Sequence, residues 1–155
     1  HRILTVGTPN RGVGTSIGIV GQLEDLRKGS DFIKELDRDW NSFEQETYYR
    51  KWGVVGGLDT KSLFSDPMGN PKATDGAGPG FVTIASAIPF NEWREAEKNF
   101  ENPEYDTDHF GYRIAVSTTH MGLLEHEGTI KGIIWALSDY SVDQERVKAK
   151  MNKVR

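Results

Sequence analysis

Cysteine is absent from the 155 residues, which excludes a disulfide framework and any thiolate metal site. Its absence leaves the compartment open. No apolar run approaches the ~20 residues of a membrane-spanning helix, and no signal peptide is visible. A dense basic stripe is also missing. The formal net charge is −4 with both signs spread along the chain, which argues against a nucleic-acid surface. No internal repeat or low-complexity tract occurs. His1 stands almost directly before a strand-like run, with no initiator Met and no lead-in, as if the chain were cut inside a domain.

What is present is rich in glycine (17) and carries four tryptophans, a composition that fits a globular α/β protein with large loops. The length suggests one domain with a sizeable core. Ile3-Leu-Thr-Val6 reads as a buried strand running into the turn-rich Gly7-Thr-Pro-Asn-Arg-Gly-Val-Gly14. Residues 23–40 have helical spacing at Leu26, Phe32, Ile33, Leu36 and Trp40, broken by Gly29-Ser30. Ser30 is placed to cap a second helix. Residues 48–55 are aromatic and β-branched and end in Gly56-Gly57, which predicts a second strand. A long irregular stretch follows from 58 to 80, and loops of that length in a compact domain are usually functional or disordered. Residues 81–87 read as an edge strand, 93–100 as a weak helix and 101–109 as an acidic loop. Ile114 to Val116 is strand-like, and an amphipathic helix pattern follows to about Leu137. Residues 141–155 form a charged tail. Strands alternating with helices predict a mostly parallel sheet, yet three or four strands are few for one.

His120 stands between the last strand and the last helix, where a general base can be held rigidly and still face a cleft. Taken alone, a histidine at a helix start is more often a capping or surface residue.

Gly7-Thr-Pro-Asn-Arg-Gly12 after an apolar strand resembles a segment of the α/β-hydrolase lipases and esterases. So does the Leu26-Arg-Lys-Gly-Ser-Asp-Phe-Ile-Lys-Glu-Leu36 helix, which is similar to part of their lid region. Val54-Val-Gly-Gly57, then Asp75-Gly76 with Val82-Thr-Ile-Ala-Ser-Ala87, and finally His120 with its helix follow in the family's order. The resemblance implies a partial α/β-hydrolase sheet, with mostly parallel strands and flanking helices, over residues 1–140. A lid-like region would span about 13–46. It also implies a carboxylic ester hydrolase that uses a Ser-His-Asp triad, with His120 as base and Asp75 as acid. Asp59, nearer the second strand, is the alternative acid. Implied partners are an ester or lipid substrate and the missing N-terminal half of the same domain. No cofactor is implied.

The nucleophile is the open position. The family's elbow and oxyanion loop fall before His1. Within the chain, Gly14-Thr15-Ser16-Ile17-Gly18 matches the elbow pattern literally, so Ser16 is a candidate, but no strand leads directly into it. A non-catalytic or truncated hydrolase-like domain is the alternative. A third reading is an NAD(P)-binding short-chain dehydrogenase-like fragment. It rests on residues 3–14, but the glycine spacing differs and no Tyr-x-x-x-Lys pair follows. Asp106-Thr-Asp-His109 offers oxygen and imidazole ligands at close spacing, in what otherwise reads as a solvated acidic loop. His126 reads as a surface residue. The four tryptophans are candidates for an acyl pocket, or simply for core packing.

Overall fold

The computed structural model describes residues 2–13, 25–42, 51–58, 82–118 and 121–138. Its elements are β1 (Ile3–Val6), α1 (Asp31–Ser42), β2 (Trp52–Gly57), α2 (Ile84–Ala87), α3 (Trp93–Lys98), β3 (Glu104–Tyr105), β4 (Tyr112–Val116) and α4 (Glu127–Leu137). A 3-10 turn at Met121–Glu125 leads into α4. The strands lie in the order β1-β2-β4-β3. β1, β2 and β4 run parallel, and β3 is antiparallel to β4. The fold is a small α/β arrangement, a mostly parallel sheet with helices on both faces.

Strand parity explains the two faces. Tyr112, Ile114 and Val116 of β4 join Val55, Leu123 and Trp135 in one core cluster, edged by Leu4 and Val6, under α4. Ala115, offset by one residue, joins Val54, Ile84, Ala87, Ile88 and Phe110 on the opposite face, with Trp40 of α1 packed against them. Both central strands are therefore buried on both faces, apolar except for the paired Arg113 of β4, as strands covered on both sides must be. Gly53 sets how closely α4 approaches. A Cβ there would stand 2.6 Å from Cζ3 of Trp135 and 2.9 Å from Cδ1 of Leu4.

Local chemistry decides the element ends. Ser30 caps α1 as its position predicts, its Oγ accepting from the N–H of Ile33 at 3.2 Å. The helix starts only at Asp31, because Gly29 adopts φ +82° and breaks the earlier part of the apolar pattern. Residues 84–87 form a helical turn, where an edge strand was expected. Thr83 Oγ1 accepts from the N–H of Ser86 and caps that turn. A short apolar run does not distinguish the two states by periodicity alone. The acidic loop holds a strand, β3, whose Glu104 lies in register with Arg113 of β4. His126 is half-buried and caps α4, its Nδ1 accepting from the N–H of Gly128 at 3.1 Å. The earlier surface reading is thereby corrected. Among the described residues, no helix is long and apolar enough to cross a membrane.

Candidate functional site

Three parallel strands deliver their carboxyl ends to one edge of the sheet. The N–H of Gly7 continues β1 by donating to Val55 O at 2.9 Å, and that of Leu58 continues β2 by donating to Val116 O at 2.7 Å. In open parallel sheets this is the edge at which ligands bind. The Gly7–Gly12 loop is pinned there by α2. Asn10 Nδ2 donates to Ala87 O at 2.9 Å, the N–H of Arg11 donates to Ser86 Oγ at 3.1 Å, and Ser86 Oγ donates to Gly12 O at 2.7 Å. Val13 exchanges backbone bonds with Leu26 and Lys28, tying the loop to the approach to α1. Gly12 is required at that junction. It has φ +81°, and a Cβ would stand 2.8 Å from Leu26 O and from the Lys28 backbone.

Ser16, Asp59, Asp75 and His120 lie outside the described residues. So do residues 139–155 and much of the lid-like region. The described flanks of two of these four are adjacent. Leu58 precedes Asp59 in the chain and is bonded to Val116, the last residue of β4, which precedes His120 by four residues. Glu101 grips this exit. Its Oε1 accepts from the N–H of Ser117 at 2.5 Å, and its Oε2 lies 3.3 Å from Nε2 of His126. Glu101 is itself at φ +63°, an uncommon conformation for a residue with a side chain.

Trp40 and Trp52 meet edge to face at 4.6 Å and share a cavity with Phe90 and Phe110. Its volume is about 30 Å³, room for little more than one or two waters. Trp135 packs on the opposite face, against Tyr112. Trp40, Trp52 and Trp93 thus pack against one core cluster, and Trp135 belongs to the other.

A second constellation lies at the other end of the sheet, where the N–H of Gly111 donates to Trp52 O and β4 begins. Arg113, on the α3 face by parity, sends Nη1 to Glu92 Oε2 at 2.7 Å and Nη2 to Glu104 Oε2 at 2.5 Å. Glu92 Oε1 accepts both the backbone N–H and the Nδ1 of His109, each at 2.7 Å, and Thr107 Oγ1 donates to Oε2 at 2.7 Å. The His109 ring stacks on Phe90 at 4.5 Å. Phe90, Asn91 and Asp106 around it all have positive φ. A cleft of about 460 Å³ opens here, lined by His109, Arg113 and five carboxylates. Burial pushes the Tyr105 hydroxyl on its wall up to about 12. Tyr112 is pushed up further by burial, with Tyr105 and Glu127 adding to the effect.

In the sequence His109 reads as part of an acidic loop or as one ligand in the Asp106-Thr-Asp-His109 cluster, and not as a partner of Glu92. Its partner Glu92 lies 17 residues away, across α3 and β3, so sequence spacing gave no hint of the pair. Among the described residues, no group of three or more His, Asp or Glu is arranged to hold a metal ion. Compared with family models, curated proteins and solved structures, the chain matches none.

Proposed function

We propose that the chain is part of a serine ester hydrolase of lipase or esterase type, with His120 as base and Asp75 as acid. What carries the reading is the meeting of sequence-distant motifs at one sheet edge. The Gly7–Gly12 loop is bonded to the Ser86-Ala87 turn, and the end of β2 is bonded to the end of β4, the strand that precedes His120 in the chain. Triads on parallel sheets use this geometry, because loops at strand ends can carry reactive groups on a rigid scaffold. His120 would take the proton of a serine hydroxyl and return it to the leaving alcohol. The acid would hold the imidazole tautomer and stabilise the imidazolium.

The serine is proposed to come from a segment upstream of His1 that pairs with β1. Among the described residues β1 is an edge strand, and its Ile3 is 52% exposed. Beside it, α4 presents Ile130, Ile133 and Leu137 as an exposed stripe at helical spacing. An additional strand and helix would cover both. Ester or lipid is the proposed substrate class.

The experiment is to restore the upstream segment and measure ester hydrolysis. His120→Ala should abolish turnover and Asp75→Asn should cripple it. Damage from Asp59→Asn in place of Asp75→Asn would move the acid to Asp59. A fluorophosphonate that labels Ser16 in this chain alone would refute an upstream nucleophile.

A further inference from the structure

We propose that the cleft at the amino end of β4 is a second catalytic site, in which His109 Nε2 takes a proton from water and directs it onto a small carboxylic ester. The site shares no residue with the proposed triad and lies where β4 begins, opposite the sheet edge at which Gly7 and Leu58 extend β1 and β2. Its imidazole is oriented on two sides. Nδ1 and the residue's own N–H are both held by Glu92 Oε1, and the ring plane is held by Phe90 at 10° and 4.5 Å. Glu92 is in turn immobile, because Arg113 and Thr107 occupy its other oxygen and its side chain is only 8% exposed. In the neutral imidazole, donation from Nδ1 to the carboxylate leaves the lone pair on Nε2. Among the described residues, no hydrogen bond engages Nε2. The side chain is 26% exposed and lines the cleft. A carboxylate on one imidazole nitrogen and an open lone pair on the other is the base half of a hydrolytic machine.

The walls select the substrate. Arg113 shares its charge between Glu92 and Glu104, while Glu95, Asp106 and Asp108 add further carboxylates. An anionic ester would be repelled, and a neutral or cationic one admitted. The depression is open and lined mainly by polar groups, with about 460 Å³ of accessible space beside the imidazole. In the reaction, Nε2 accepts a proton from water as the oxygen bonds to the acyl carbon. The tetrahedral intermediate then expels the alcohol oxygen, which takes the proton back from Nε2. The products are a carboxylic acid and an alcohol, and the imidazole returns to its neutral form. Glu92 keeps its hydrogen bond to Nδ1 throughout and stabilises the transient imidazolium.

The test uses the chain as it stands, with p-nitrophenyl acetate as the probe. His109→Asn keeps an amide N–H for Glu92 but removes Nε2. It should lose about a hundred-fold of the rate above buffer, with circular dichroism unchanged. His126→Ser should keep that rate. Diethyl pyrocarbonate should place an ethoxycarbonyl group on His109 of the folded wild type, read by peptide mass. This second measurement decides the matter if His109→Asn does not fold. The proposal is overturned if the wild type shows no rate above buffer, or if His109→Asn retains that rate. It is also overturned if His109 resists the reagent. Loss of the rate in His120→Ala rather than in His109→Asn would assign it to the triad and overturn the second site.

Discussion

Glu92 and Arg113 form an ion pair at 2.7 Å with both side chains under a tenth exposed, and the pair joins the start of α3 to the start of β4. The same guanidinium reaches Glu104 of β3, so one cation holds a helix and a strand to β4. Neither carboxylate is adjacent to Arg113 in sequence. The pairing exists only because parity turns Arg113 away from α4.

Replacing Arg113 by Met should therefore destabilise the fold by about 3–5 kcal/mol, since two carboxylates lose their counter-ion and one of them is buried. Urea unfolding followed by tryptophan fluorescence would measure it. Arg113→Lys should recover only part of the loss, because an ammonium cannot reproduce the fork that spans Glu92 and Glu104. Equal stability of the Lys and wild-type forms would contradict the account.

Gly53→Ala should cost about 1–3 kcal/mol by overpacking, because the new methyl would press on the Trp135 ring. Gly53→Ala combined with Trp135→Leu should cost less than the sum of the two single changes. Additive losses in a double-mutant cycle would show that α4 can shift freely and that Gly53 does not set its approach.

Alkaline pH should loosen the hairpin end of the sheet. The Tyr105 hydroxyl ordinarily ionises near 10, and burial raises it to about 12. Between those values the unfolded chain sheds a proton that the folded chain keeps. The stabilisation is thus complete below pH 10 and falls as pH rises toward 12. Tyr112 is shifted in the same direction by burial and adds to the slope. Tyrosinate absorbance at 295 nm should rise together with loss of helical circular dichroism. Ionisation of all five tyrosines before any unfolding would contradict the burial.

Glu101→Ala should free the exit of β4. The amide of Ser117 would lose its carboxylate acceptor and exchange faster with deuterium, while Val55 and Ile114 in the core should stay protected. Glu101→Gln, which keeps an acceptor oxygen, should restore most of the protection. Uniform acceleration across β4 would instead mean that Glu101 supports the whole strand.

The sequence by itself determined the parts whose physics is local. The apolar runs at 3–6, 48–55 and 114–116 read as strands, and their alternation with helical segments already implied a mostly parallel sheet. Ser30 announced the start of α1, because a hydroxyl before a helix accepts from a nearby free N–H. Gly7-Thr-Pro-Asn-Arg-Gly12 announced a loop. The hydrolase reading also came from the order of motifs, and its four proposed site residues, Ser16, Asp59, Asp75 and His120, lie outside the described residues. Only the tertiary structure decided which distant groups meet. Residues 81–87 could be strand or helix until Thr83 bonded Ser86 and Ser86 bonded Gly12. An acidic loop yielded β3 because Glu104 found Arg113 across the sheet. His109 became an oriented imidazole because the chain returns Glu92 to its Nδ1 across the length of α3. Charge pairing and hydrogen bonding act over a few ångströms of space. Such partners cannot be read from the sequence until the backbone has folded.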